Sequence, residues 1–152
     1  MRSSIYECAG GEPAFVALAG AHHVRCLADP ELNHPFSHGD LNPEHIERLG
    51  AYWAEVLGGP PTYSTRYSNQ ETMLRLHSGN GDMTDLGRRF VECFVAAADD
   101  AGLPADPALR GALRAYMEWA VDDLLSHEEP DDVPAGVSMP HWTWDGLARQ
   151  PG

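Results

Sequence analysis

Lysine is absent from this chain, so its ten basic side chains are all arginine, set against 23 carboxylates for a formal net charge of -13. That balance leaves no basic stripe to neutralise phosphates, which excludes nucleic acid and anionic membrane surfaces as expected partners. No apolar run approaches the length that spans a bilayer, and Met1-Arg2-Ser3-Ser4-Ile5-Tyr6-Glu7 holds no apolar signal core. A cytoplasmic location is expected. Cysteine is scarce, and Cys8, Cys26 and Cys93 are odd in number and widely spaced; Cys26 and Cys93 fall within apolar helical patterns, which predicts buried thiols rather than a disulfide framework. Strand-like alternation never extends beyond a few residues, and HExxH and paired CxxC motifs, internal repeats and nucleotide-binding motifs are all missing.

What remains is helical periodicity, in 152 residues of which 43% are hydrophobic, enough for one core and too little for two. The first long helix is predicted from Glu12 to Ala28, with Phe15, Leu18, His22 and Cys26 on one stripe, Ala19, His23 and Leu27 beside it, and Asp29-Pro30 as its stop. A connector over 29–41 carries His34, Pro35, Phe36 and His38. Asn42-Pro43 then caps a helix bearing His45, Leu49, Tyr52, Trp53 and Val56 on a shared face, ended by Gly58-Gly59-Pro60. A loose segment over 60–72 leads to a short helix holding His77. After Ser78-Gly79-Asn80-Gly81-Asp82, a helix from Thr84 to Ala101 buries Phe90, Phe94, Ala97 and Ala98, and Gly102 closes it. Asp106-Pro107 caps the last, with Leu109, Leu113, Tyr116, Met117, Val121 and Leu124 as its apolar stripe. The division expected is a helical domain over 1–127 and an acidic, proline-rich tail over 128–152 without regular structure, whose Trp142 and Trp144 dock back on the domain or bind a partner.

The order of these parts resembles a truncated hemoglobin, most closely the group II class of bacteria. The pieces that carry the resemblance are Tyr6 to Gly11, Leu27 to Leu32, Gly58-Gly59-Pro60 with Tyr63-Ser64, Met73 to His77, Phe90 to Phe94, and Tyr116 to Trp119, covering residues 5–125. It implies an all-α, two-over-two helical sandwich enclosing heme b, with His77 as proximal iron ligand and reversible binding of oxygen, nitric oxide or carbon monoxide. The residues themselves agree: a neutral imidazole is a good axial ligand, and Met73, one turn before His77, lies on the same side of its helix to pack on the porphyrin. Arg75 and Tyr63 are the candidates for binding a heme propionate, with a solvent-facing role as the plain alternative for either.

The distal side departs from the family. His23 stands where group II members place a distal tyrosine, with His22 before it; Phe36 stands at the aromatic position of the connector, and Phe90 replaces the class's tryptophan. His45 matches the distal position of the second helix, with Leu49 completing the wall. Polarity in such a pocket rests on His23 and His45, which can hydrogen-bond bound oxygen, ligate the iron, or act as acid and base toward peroxide; His22 has the plain reading of a core or surface histidine.

Functions open to a heme protein of this kind are diatomic ligand binding, nitric oxide dioxygenase or peroxidase-type chemistry, and a biosynthetic oxidation, any multi-turnover version drawing electrons from a reductase partner. The oligomer is left as a monomer or homodimer. Two readings of another class stand beside these: a heme-free zinc or iron site built from His22, His23, His34, His38 and His45, and a sensor module that has lost heme.

Overall fold

Ser4 begins the helical order by accepting the Glu7 N–H at 3.1 Å, which caps α1 (Ile5–Ala9), an element the periodicity did not announce. The structure is a computed structural model and describes residues 3–30, 45–77, 84–126 and 130–148. The remaining helices are α2 (Glu12–Ala28), α3 (His45–Val56), α4 (Thr62–Arg66), α5 (Gln70–His77), α6 (Thr84–Asp100) and α7 (Pro107–Leu125), followed by a 3-10 turn (Pro130–Asp132) and two short strands, β1 (Trp142–Thr143) and β2 (Gly146–Leu147). The expected bounds of α2 are met, and Asp106 caps α7 by accepting the N–H groups of Ala108 and Leu109 at 2.8 and 3.2 Å. The Asn42-Pro43 cap lies outside the described residues. No helix among the described residues is long and apolar enough to cross a membrane.

Two helix pairs form the sandwich: α2 packs on α3, α2 also packs on α6, and α6 packs on α7. At the α2/α3 crossing Gly50 removes a side chain where one cannot fit, since a Cβ there would lie 3.0 Å from the Val16 Cα and 3.1 Å from the Phe15 carbonyl oxygen. Phe15, Leu18, Val56, Leu57, Phe94 and Leu109 are fully buried between the layers, each contributing about 1.5–3 kcal/mol by leaving water. On α6 the buried face is Val91, Phe94, Ala97 and Ala98, with Phe90 only partly covered, and Leu124 of α7 is also half-exposed rather than buried as its stripe suggested. Ion pairs at the rim, Arg25–Asp100, Arg89–Asp29 and Arg114–Glu92, tie α2 to α6 and α6 to α7; exposed as they are, each is worth at most about 1 kcal/mol.

Two expectations are corrected. The segment over 60–72 is not loose: α4 forms within it and α5 already begins at Gln70. The cause is a buried carboxylate, because Glu55 of α3, 3% exposed, accepts both the Ser64 N–H at 2.9 Å and the Ser64 hydroxyl at 2.7 Å. Tyr63 is buried alongside, its ring edge-on to Tyr52 at 5.0 Å. Glu55→Ala is therefore expected to cost about 1–3 kcal/mol by removing the two charge-assisted bonds that hold Ser64 to α3, read as a lower denaturation midpoint at unchanged m-value. An unshifted midpoint would remove Glu55 as the anchor of α4.

The tail also has regular structure. Trp142 pairs with Leu147 and Thr143 with Gly146 in an antiparallel ribbon, with Gly146 at φ 105° at the start of the return strand. Trp142 is 9% exposed, its ring 5.8 Å from Tyr116 and 5.9 Å from Trp119 of α7, and the Trp144 indole N–H donates to the Ser3 carbonyl. The buried Trp142 ring and the Trp144 hydrogen bond dock a polar, proline-rich segment on the helical body, which composition alone does not report.

Candidate functional site

The helix that carries the paired histidines turns them to different surroundings, since adjacent helical positions diverge by about 100°. His22 is fully buried, its ring 4.3 Å from Phe90, 5.5 Å from Trp53 and 5.9 Å from Phe94, all edge-on. Its Nε2 lies 3.3 Å from the Phe90 carbonyl oxygen and 3.5 Å from the Cys26 Sγ. A carbonyl only accepts, so Nε2 carries the proton, and the buried Nδ1 has no hydrogen-bond partner among the described residues. Burial lowers the His22 pKa to about 4, against the opposing pull of the Phe90 carbonyl, with a smaller push from His23. His22 is thus a neutral wedge joining α2, α3 and α6, the core reading of this residue.

His23, half-buried, occupies the neighbouring sector of α2. Leu49 on α3, Met73 on α5 and Phe90 on α6 are partly buried apolar side chains packed against the core from three helices. The structure brings Phe90 onto His22, and Arg25–Asp100 together with Arg89–Asp29 clamps the helix bearing both histidines to the helix bearing Phe90. Cys26 and Cys93 meet across the same crossing as free thiols that share a hydrogen bond, and burial raises the pKa of both above the usual thiol range. Both are protonated at neutral pH; Cys26 is buried as expected, whereas Cys93 is only partly covered.

His77 is the last residue of α5, a helical position four after Met73 and so on the same face. The side chains of His45, Arg75 and His77 lie outside the described residues, as does Phe36 altogether. Tyr63 is a core side chain: burial raises its pKa, and its hydroxyl is engaged by Ser68. Among the described residues no group of three or more His, Cys, Asp or Glu is arranged to hold a metal ion, so the heme-free metal site gains no support from His22 and His23; His34 and His38 lie outside them.

Periodicity missed three polar contacts that place α4 and α5. Besides Glu55–Ser64, the Tyr52 hydroxyl donates to the Gln70 Oε1 at 2.6 Å with Gln70 3% exposed, and the Gly136 N–H donates to the Glu71 Oε1 at 2.6 Å. Burial holds the Tyr52 phenol protonated, well above its usual pKa, which keeps it a donor. The available signal was Glu55 lying inside the apolar run 51–57; nothing local marks Gln70 or Glu71. Two clefts open elsewhere, one of about 270 Å³ between Gln70, Trp119, Asp123 and the tail, the other of about 310 Å³ between α6 and α7 beside Glu92 and Arg114. Neither is lined by His23, Leu49, Met73 or Phe90.

Comparison with known proteins agrees with this architecture. Residues 4–121 match the family described as Bacterial-like globin. Among solved structures, the chain is similar to the hemoglobin of the thermophilic phototrophic bacterium Chloroflexus aurantiacus, at 29% identity and a TM-score of 0.68, covering 82% of this chain and 98% of that one. It is also similar to a thermostable hemoglobin from the actinobacterium Thermobifida fusca, at 31% identity and a TM-score of 0.65, covering 81% of this chain and 97% of that one. No curated protein matches. With the family match running through six of the seven α-helices described and into α7, the chain belongs to the bacterial-like globins, and that membership implies a heme cofactor.

Proposed function

We infer that residues 1–127 hold heme b through His77 and bind a diatomic gas at its iron. The observation that carries this is the place of His77: it closes α5 one turn after Met73, within a chain whose globin match spans residues 4–121. The residues present fit the group, because Leu49, Met73 and Phe90 offer partly covered apolar side chains on three helices and every candidate donor is an imidazole. Heme supplies a redox-active iron with a coordination position for oxygen, nitric oxide or carbon monoxide.

The chain's own residues do the rest. Phe90 and Leu49 exclude water from the ligand side, and Phe90 lacks the donor that a tryptophan would bring. His23 and His45 are then the polar groups of that side, each able to donate from one ring nitrogen to a bound ligand or to move a proton during peroxide or nitric oxide chemistry. His22 stays neutral and bonded to the Phe90 carbonyl, which fixes α2, and with it His23, against α6. Of the two propionate candidates, Arg75 is favoured, since Tyr63 is buried and its hydroxyl is engaged by Ser68. Repeated redox turnover, as a nitric oxide dioxygenase, a peroxidase or a biosynthetic oxidase, would draw electrons from a separate reductase.

The test is an absorption spectrum of the purified protein as isolated, after dithionite, and after carbon monoxide. A Soret band that shifts at each step is the expected result, and a high-spin ferric form would mark an open ligand side where neither His23 nor His45 ligates iron. A chain with no Soret band even after hemin addition would discard the heme reading and restore the sensor-module reading.

A further inference from the structure

We propose that residues 130–148 act as a strap that sets the position of α5, and through it the orientation of His77 toward the iron; the second half rests on the function inferred above. The match to the family ends at residue 121, ahead of this segment. Its placement is specific. The 3-10 turn is the element most closely packed on α5 among the described residues, while β2 packs on α7. Between them the Gly136 N–H donates to the Glu71 Oε1 in the first turn of α5.

The far end of the strap is anchored in the core. Trp142 sits against Tyr116 and Trp119, Val133 is 2% exposed, and the Trp144 indole N–H reaches the Ser3 carbonyl ahead of α1. Beneath the strap lies the cleft of about 270 Å³ lined by Gln70 of α5, Trp119 and Asp123 of α7, and Val137 and Pro140 of the strap. At this point α5 and α7 are separated by open volume and bridged by the strap. An eight-residue helix is too short to hold its own structure, so its position is inherited from its neighbours. For α5 these are the buried Leu74, the Tyr52–Gln70 bond on one side and the strap on the other. Groups that orient a metal-ligating imidazole tune the metal–nitrogen bond, and here that control passes through the tail.

Glu71→Ala and Glu71→Gln in the full-length chain separate this role from a general loss of stability, because the glutamine keeps an Oε1 acceptor for the Gly136 N–H. Two readouts are needed: amide hydrogen exchange of α5 in the heme-free and heme-loaded protein, and the iron–histidine stretching band of the ferrous unliganded form. Glu71→Ala is expected to speed exchange in α5 at least tenfold and to shift or broaden the iron–histidine band, with Glu71→Gln close to wild type in both. Trp142→Ala, which unseats the anchor without touching α5, is expected to reproduce the α5 exchange change. Unaltered α5 exchange in Glu71→Ala and Trp142→Ala, or acceleration spread evenly over all helices, would overturn the strap. Faster α5 exchange with an unmoved iron–histidine band would overturn its link to His77. A wild type that takes up no heme would overturn the heme reading instead, while exchange in the heme-free chain still decides whether the strap holds α5.

Discussion

Replacement of His77 by Ala is expected to abolish tight heme retention, leaving a helical protein that loses its Soret band during gel filtration or to an excess of heme acceptor. On the function inferred above, the size of the effect follows from the bond removed, because the His77 imidazole would be the link from protein to iron and the apolar side chains of Leu49, Met73 and Phe90 would give only packing in its place. Far-ultraviolet circular dichroism should change little, since His77 is the terminal residue of an eight-residue helix whose buried anchors are Gln70 and Leu74. Imidazole added to the variant should restore part of the Soret intensity by filling the vacated position. Full heme occupancy with an unchanged spectrum in His77→Ala would move the ligand to another histidine and end the assignment.

Acid is expected to destabilise the fold through His22, over a window that its burial defines. In the fold this imidazole has a pKa of about 4, against 6.5 in the unfolded chain. Below 6.5 the unfolded state binds a proton that the folded state refuses, so stability falls as pH drops through 6.5 and levels off for this group below about 4. The full effect is roughly 3 kcal/mol, a large part of a small domain's stability. His22→Leu removes the titrating group and should flatten this part of the profile, leaving the carboxylates to act at lower pH. Its cost at neutral pH should be about 1 kcal/mol, the Nε2 bond to the Phe90 carbonyl being lost while an apolar side chain replaces one that already lies among Trp53, Phe90 and Phe94 and leaves Nδ1 unsatisfied. Urea midpoints measured from pH 7 to pH 4 give the comparison, and parallel profiles for the two proteins would show that His22 is not the acid-labile group.

Both predictions begin from the same helical pattern, yet they were not equally legible. Met73 and His77 are four residues apart, so any helix through them puts both on one side, and the spacing reports this without a partner. His22 and His23 are equivalent in a list of residues and differ only in what faces them. The periodic stripe of Phe15, Leu18, His22 and Cys26 pointed His22 inward, and the structure adds that Trp53, Phe90 and Phe94 surround it from two other helices. Phe90 shows the converse: its stripe suggested full burial, while the α6 face turned inward centres on Val91 and Phe94.

The sequence by itself determined the long helices α2, α6 and α7 and the stop of α3, because Asp106-Pro107, Gly58-Gly59-Pro60 and the apolar spacing act over a few residues and need no tertiary partner, whereas the short α1 and α4 left no such signal. It also determined the strongly acidic balance of ten arginines against 23 carboxylates, a matter of counting charges. The tertiary structure alone decided what crosses between elements. Glu55 orders Ser64, Tyr52 grips Gln70, and Gly136 reaches Glu71 over 65 residues. Each rests on one or two short-range hydrogen bonds whose partners are brought together only by folding, and bonds of that kind leave no periodic trace in the chain.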